Sequence, residues 1–129
     1  MKDVNVMKKI LIVEDELMLL HLLHTQLTEK GYTVIDATDG KTGLKKAIQE
    51  KPHLILLDIK LPVMDGLTML DLLRKEKAGK KIKVIILTNV EPDTQIIGKV
   101  INDQPIYYFI KSDVVLFDLF EKINKLLVV

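Results

Sequence analysis

Leu54-Ile55-Leu56-Leu57-Asp58 decides the fold. Four apolar residues in succession fit a strand buried on both faces, and the run stops at a carboxylate. A turn follows at once, Leu61-Pro62-Val63-Met64-Asp65-Gly66. Three other runs end in the same manner. Ile10-Leu11-Ile12-Val13 stops at Glu14-Asp15-Glu16, Val84-Ile85-Ile86-Leu87 at Thr88, and Ile106-Tyr107-Tyr108-Phe109-Ile110 at Lys111. Open α/β sheets carry their chemistry at the C-terminal ends of parallel strands. If these strands are parallel, three acids, a hydroxyl and an ammonium meet at one edge.

Between the apolar runs lie longer amphipathic stretches. That alternation reads as βα units on a parallel sheet. It predicts strands near 9–14, 33–37, 54–57, 83–87 and 106–110, and helices near 16–30, 40–51, 65–78, 92–102 and 113–127. Gly31 fits the stop of the first helix. Asp65 fits the N-cap of the third, with Gly79 near its end. Pro92 suits the first turn of the fourth. Five strands with five helices predict an α/β fold: a doubly wound, five-stranded parallel sheet of order 2-1-3-4-5, in a flavodoxin-like three-layer sandwich. The ligand site then falls at the switch between the first and third strands, which end in Glu14-Asp15 and Asp58.

Composition narrows the classes. A chain of 129 residues, 48% apolar, suffices for one domain with its own core. There is no cysteine, so disulfides and thiolate metal sites are excluded. A reducing cytoplasm fits, and cytoplasmic localisation is expected. A net charge of +1 argues against a strongly basic nucleic-acid surface. No apolar stretch approaches the ~18 residues needed to span a membrane. No secretory signal is visible. Residues 1–6 precede a second methionine, Met7, and are expected to form a flexible extension to a domain at 7–129.

Glu14, Asp15 and Asp58 would crowd negative charge into a cleft and raise one another's pKa if unpaired. A hard cation relieves that conflict, and Mg²⁺ prefers a few carboxylates, waters and phosphate oxygens. Asp58 could then attack phosphorus and form an acyl phosphate. Lys111 and Thr88 would neutralise and hydrogen-bond the transferred oxygens. Taken one at a time, the acids also read as helix caps or turn residues. Five fitting residues on four strand ends favour the site. His21 and His24 stand three apart on the first helix, a metal-ligating spacing, but no third ligand is near and a surface or edge role is the better reading. His53 falls in a loop. Ile96, Ile97, Val100 and Ile101 have helical spacing and read as core, with a partner face as the other reading.

Two stretches carry a resemblance. Lys9-Ile10-Leu11-Ile12-Val13-Glu14-Asp15-Glu16 resembles the opening of a response-regulator receiver domain, and Asp58-Ile59-Lys60-Leu61-Pro62-Val63-Met64-Asp65-Gly66 resembles that family's phosphoacceptor loop. With Thr88 and Lys111, the likeness runs over nearly the whole chain from Met7. The resemblance implies a switch in two-component signalling. A histidine kinase or histidine phosphotransfer protein donates a phosphoryl group to Asp58. Glu14, Asp15, Asp58 and the backbone carbonyl of Lys60 hold Mg²⁺ or another divalent cation such as Mn²⁺. Tyr108 swings inward as Thr88 closes on the phosphoryl group. The face formed by helix 4, strand 5 and helix 5 then controls a downstream protein or output domain, or a homodimer that forms on phosphorylation. Such a domain catalyses only its own phosphorylation and dephosphorylation, and makes no direct contact with nucleic acid or membrane.

The chain departs from the family pattern at three places. Ser112 follows Lys111 where the family usually has Pro, Asn89 follows Thr88 where it prefers a small residue, and Ile101-Asn102-Asp103-Gln104-Pro105 replaces an Ala-Gly-Ala stretch. A cis bond before Ser would cost about 2.5–4 kcal/mol, against about 0.5–1 kcal/mol before Pro. A trans Lys111–Ser112 bond is therefore expected, with Ser112 or Asp113 free to cap the last helix and Lys111 still reaching the acids. Two alternatives stay open: a receiver-like interaction module that is never phosphorylated, and a small phosphohydrolase with an aspartyl nucleophile. The second wants another Asp two residues after the first, where this chain has Lys60.

Overall fold

The computed structural model describes residues 8–105 and 107–127. The expected extension at 1–6, the first residue of the fifth strand, Ile106, and the side chain of Ile101 lie outside the described residues. The strands are β1 (Lys9–Val13), β2 (Thr33–Ala37), β3 (Leu54–Leu57), β4 (Lys83–Thr88) and β5 (Tyr107–Ile110). The helices are α1 (Leu17–Glu29), α2 (Gly40–Glu50), α3 (Gly66–Lys75), α4 (Thr94–Asp103) and α5 (Leu116–Leu127). The strands pair in parallel in the order β2-β1-β3-β4-β5. The expected α/β architecture and strand order are thus observed.

The sheet explains why the central strands read as unbroken apolar runs: each is covered on both faces. Leu11, Val13, Ile55, Leu57, Val84 and Ile86 point to one side, against Ala47 of α2 and Met69, Leu70 and Leu73 of α3. Ile10, Ile12, Leu54, Leu56, Ile85 and Leu87 point to the other, against Leu20, Leu23 and Leu27 of α1 and Leu119, Ile123 and Leu127 of α5. Ile96 and Val100 of α4 pack at the edge of the first core, while Ile97 is exposed.

Local chemistry sets the helix starts. Asp39, Asp65 and Asp93 are N-caps whose carboxylates accept from the N–H groups of Thr42, Thr68 and Ile96 at 2.7, 2.9 and 2.9 Å; such a cap contributes about 1 kcal/mol. Gly31, at φ 101°, takes the chain out of α1. Three expectations need correction. Pro92 is not helical, because Asp93 caps α4 and the helix begins at Thr94. The third helix ends at Lys75, and a short 3₁₀ turn, Lys77–Gly79, replaces its last turn. The fifth helix begins at Leu116, because Ser112 and Asp113 lie in a turn closed by Asp113 and Val114 N–H groups on the Ile110 carbonyl, both at 3.0 Å.

Gly66 seats the start of α3 on the loop that follows Asp58. Its N–H donates to the Ile59 carbonyl at 2.7 Å. A Cβ there would meet the carbonyl of Asp58 and, at 2.9 Å, the Cα of Ile59. Gly66→Ala is therefore expected to destabilise the domain by about 1–3 kcal/mol through backbone displacement. Urea unfolding checks this: a midpoint equal to that of the parent protein contradicts the close packing.

Candidate functional site at the C-terminal edge of the sheet

Backbone pairing runs one residue past the strands and so aligns the side chains that follow. Val13 stands beside Leu57, and Leu57 beside Ile86. The Asp58 N–H donates to the Val13 carbonyl at 3.1 Å, Glu14 N–H to Ala37 at 3.0 Å and Lys111 N–H to Thr88 at 2.8 Å. Glu14, Asp58, Thr88 and Lys111 therefore leave the sheet along one edge, at the switch between β1 and β3.

Lys111 joins them. Its Nζ lies 2.9 Å from Asp58 Oδ2, 2.9 Å from the Glu14 carboxylate and 2.7 Å from Glu16 Oε1. An ammonium has three N–H donors, and each finds a carboxylate. Asp58 and Glu14 are buried, while Asp15 and Glu16 are exposed at the rim. Asp15, Glu16, Asp58, Lys60, Thr88, Asn89, Val90 and Lys111 line the cleft. The Lys60 N–H lies 3.4 Å from Asp58 Oδ1, close to the limit for a hydrogen bond. Among the described residues, one group of three acids could share a cation: Glu14, Asp15 and Asp58, with carboxylate oxygens within 4.8 Å of one another. An all-oxygen carboxylate set suits a hard divalent ion such as Mg²⁺.

Charge explains the cleft's electrostatics. Burial pushes the Glu14 carboxyl from 4.5 up to about 6, with the Asp58 charge adding to the rise and the Glu16 N–H and Lys111 opposing it. Burial alone would lower the Lys111 pKa. Its hydrogen bonds to Glu16, Asp58 and Glu14 outweigh that, so the group is held above its ordinary value and stays charged.

Thr88 and Tyr108 are joined through one residue between them in space. The Val90 N–H donates to Thr88 Oγ1 at 3.3 Å, and the Tyr108 hydroxyl donates to the Val90 carbonyl at 2.7 Å. Thr88 is fully buried and Tyr108 half-buried against the core. Burial, then the charges of Glu91, Asp93 and Asp58, raise the Tyr108 pKa, so its hydroxyl keeps the proton it donates.

Sequence reasoning missed two contributors. Glu16 is the third carboxylate on Lys111, signalled only as the last acid of Glu14-Asp15-Glu16. Asn89 accepts the Ser112 N–H on Oδ1 at 3.1 Å, and no sequence spacing marks that contact. No peptide bond among the described residues is cis. The histidines stand apart from the site. His24 Nδ1 lies 2.7 Å from Asp36 Oδ2, His21 is exposed, and His53 Nδ1 accepts the Lys9 N–H at 3.0 Å.

The raised Glu14 pKa has a defined sign in stability. The folded chain holds this proton to higher pH than the unfolded chain does. Stability from Glu14 is therefore present below pH 4.5 and is lost as pH rises to about 6. The loss is on the order of 2 kcal/mol. Urea unfolding of the parent protein and Glu14→Gln at pH 4.5 and 7 measures it. The parent should lose stability relative to the variant on going to pH 7, and a constant difference contradicts the shift.

Comparison with known proteins places the chain. Residues 10–123 match the family described as response regulator receiver domain. The chain is 50% identical over 86 residues to the alkaline phosphatase synthesis transcriptional regulatory protein PhoP of Bacillus subtilis, covering 67% of this chain and 36% of that protein. It is 39% identical over 82 residues to the DNA-binding dual master transcriptional regulator RpaA of Synechocystis, covering 64% and 34%. The chain thus spans about a third of the length of these curated relatives. Among solved structures, a CheY-like receiver domain protein of Methanospirillum hungatei superposes with TM-score 0.84 at 34% identity, over 94% of both chains. The response regulator TrrA of Thermotoga maritima, in complex with Mg²⁺-BeF, superposes with TM-score 0.77 at 35% identity, over 94% of this chain and all of that one. Among the described residues no helix is long and apolar enough to cross a membrane. With its strand order, its edge of acids and a match over residues 10–123, the chain belongs to the response regulator receiver domain family of two-component signalling.

Proposed function

We propose that this domain is a phosphorylation-controlled switch with Asp58 as phosphoacceptor. One observation carries the reading: the buried Asp58 carboxylate lies 2.9 Å from the Lys111 ammonium and within 4.8 Å of the Glu14 and Asp15 carboxylates. Glu14, Asp15, Asp58 and the backbone carbonyl of Lys60 would hold Mg²⁺ or Mn²⁺. Such an ion, when bound, offsets the negative charge of the acids and of the incoming phosphoryl oxygens.

Asp58 supplies a carboxylate oxygen to phosphorus. The new P–O bond forms as the P–N bond to the donor imidazole breaks, and the electron pair stays on that nitrogen. The donor is a histidine kinase or a histidine phosphotransfer protein. Leu17 and Met18, 67% and 90% exposed at the start of α1 beside the cleft, support docking of such a partner there. Lys111 then pairs with the phosphoryl group instead of the free carboxylate. Thr88 turns its hydroxyl from the Val90 N–H to a phosphoryl oxygen. Val90 is thereby freed to move, and it carries the acceptor of the Tyr108 hydroxyl. Tyr108 follows inward, and the α4-β5-α5 face changes. A near-complete reversal of such an equilibrium needs about 5 kcal/mol.

The domain acts on its own aspartate and is not an enzyme with a separate substrate. It works in the cytoplasm on a downstream protein or output domain, or through a homodimer formed on phosphorylation, without direct contact to nucleic acid or membrane.

Incubation with acetyl phosphate and Mg²⁺, followed by intact mass, tests the acceptor. The parent protein should gain one base-labile phosphoryl group, and Asp58→Asn should gain none at that site. Equal labelling of the two removes Asp58 as nucleophile. Absence of any adduct on the parent favours an interaction module that is never phosphorylated. Amide NMR on the labelled protein tests the switch. Shift changes should reach α4, β5 and α5, and changes confined to residues around Asp58 contradict propagation through Val90 and Tyr108.

A further inference from the structure

Ser112 and Asn89, the two departures nearest the cleft, meet each other. The Ser112 N–H donates to Asn89 Oδ1 at 3.1 Å and has no backbone acceptor among the described residues. The bond lies one residue beyond the β4–β5 ladder, which ends with Thr88 beside Ile110 and the Lys111 N–H on the Thr88 carbonyl. It therefore ties the residue after Thr88 to the residue after Lys111. Each departure alone would weaken the site. Without proline, the backbone after Lys111 loses its fixed φ. An asparagine after Thr88 places a polar side chain at the cleft. Together they form a donor and an acceptor that the family pattern lacks, because proline has no N–H.

Resting on the reading of Asp58 as phosphoacceptor, we propose that Asn89 is a positioning residue. It holds the Lys111–Ser112 turn so that the Lys111 ammonium stays aimed at the Asp58 oxygen that receives the phosphoryl group. The bond substitutes for the rigidity of the usual proline. It also makes the Thr88 and Lys111 loops one unit, so the displacement of Thr88 and Val90 on phosphorylation is felt at the lysine.

The test is the rate of phosphorylation by acetyl phosphate at saturating Mg²⁺, read by intact mass over a range of donor concentrations. Asn89→Ala, which removes the acceptor, should lower the maximal rate constant roughly fivefold, as expected for one hydrogen bond. The donor concentration at half-maximal rate should stay within about twofold, because positioning acts on the transition state and not on donor binding. Ser112→Pro removes the donor but restores the fixed φ for which the bond substitutes, so its rate should stay within about twofold of the parent, and adding Asn89→Ala to it should cost no more than about a further twofold. Hydrogen exchange of the Ser112 amide gives a direct reading: slow in the parent protein and fast in Asn89→Ala. A fivefold loss for Asn89→Ala that persists in the Ser112→Pro background, a Ser112→Pro variant as slow as Asn89→Ala, or a Ser112 amide that exchanges equally in the parent and Asn89→Ala overturns the proposal. A parent protein that takes up no phosphoryl group overturns the acceptor reading itself, whereas a labelled parent with an equally fast Asn89→Ala overturns only the role of Asn89.

Discussion

Carboxylates at the end of an apolar sheet are costly to bury unless their charges are met, and here one ammonium meets them. Lys111 Nζ contacts Asp58, Glu14 and Glu16 within 2.7–2.9 Å. Removing one partner from a buried charged pair typically costs several kcal/mol, far more than a surface ion pair contributes. The pairing still leaves the acids in excess, since Glu14, Asp15, Glu16 and Asp58 outnumber the single lysine. An all-carboxylate surplus of that kind suits a hard divalent cation.

The surroundings of Lys111 tie the ends of β4 and β5 together. Backbone ladder bonds bring β4 and β5 out side by side, and Asn89 adds a further tie just beyond them. Val90 offers its N–H to Thr88 and its carbonyl to Tyr108, so a hydroxyl inside the cleft and a ring near its outer side share one peptide segment. At the opposite end of the sheet, Arg74 donates to the carbonyls of Gly79, Ile82 and Asp103 at 2.8, 2.7 and 2.9 Å. That fastens the end of α4 to the entry of β4. The C-terminal end of α4 is thus anchored away from the cleft.

Much was legible in the sequence because it rests on contacts between near neighbours or on burial alone. Unbroken apolar runs at 10–13, 54–57 and 84–87 fit strands covered on both faces, being too short for helices and bounded by turn residues. Asp65 announced its cap by standing directly before the helix, with the N–H it accepts from three residues on. Strand ends rich in Glu, Asp, Thr and Lys marked the site, because parallel strands must bring their C-terminal ends to one edge. Helix starts were less legible. Pro92 and Asp93 are both sound opening residues, and only the observed backbone selects the aspartate as the cap. The start of α5 was hidden for a similar reason: the turn after Lys111 uses main-chain bonds to Ile110 that any residues could make.

By itself the sequence determined the architecture, the strand order and the identity of the acids, hydroxyl and lysine at the edge. Those follow from hydrophobic periodicity, from the doubly wound order that five βα units favour, and from the rule that parallel strands converge. The tertiary structure alone decided who touches whom. Lys111 reaches Glu14 across 97 positions and Asp58 across 53, and Asn89 reaches Ser112 across 23. It also decided that Glu16 shares the ammonium, that Val90 links Thr88 to Tyr108, and that burial lifts Glu14 to a pKa of about 6. Distances of a few tenths of an ångström, and the extent to which water is excluded, set these facts. Neither quantity is encoded in local pattern; both arise only when the five strands have come together.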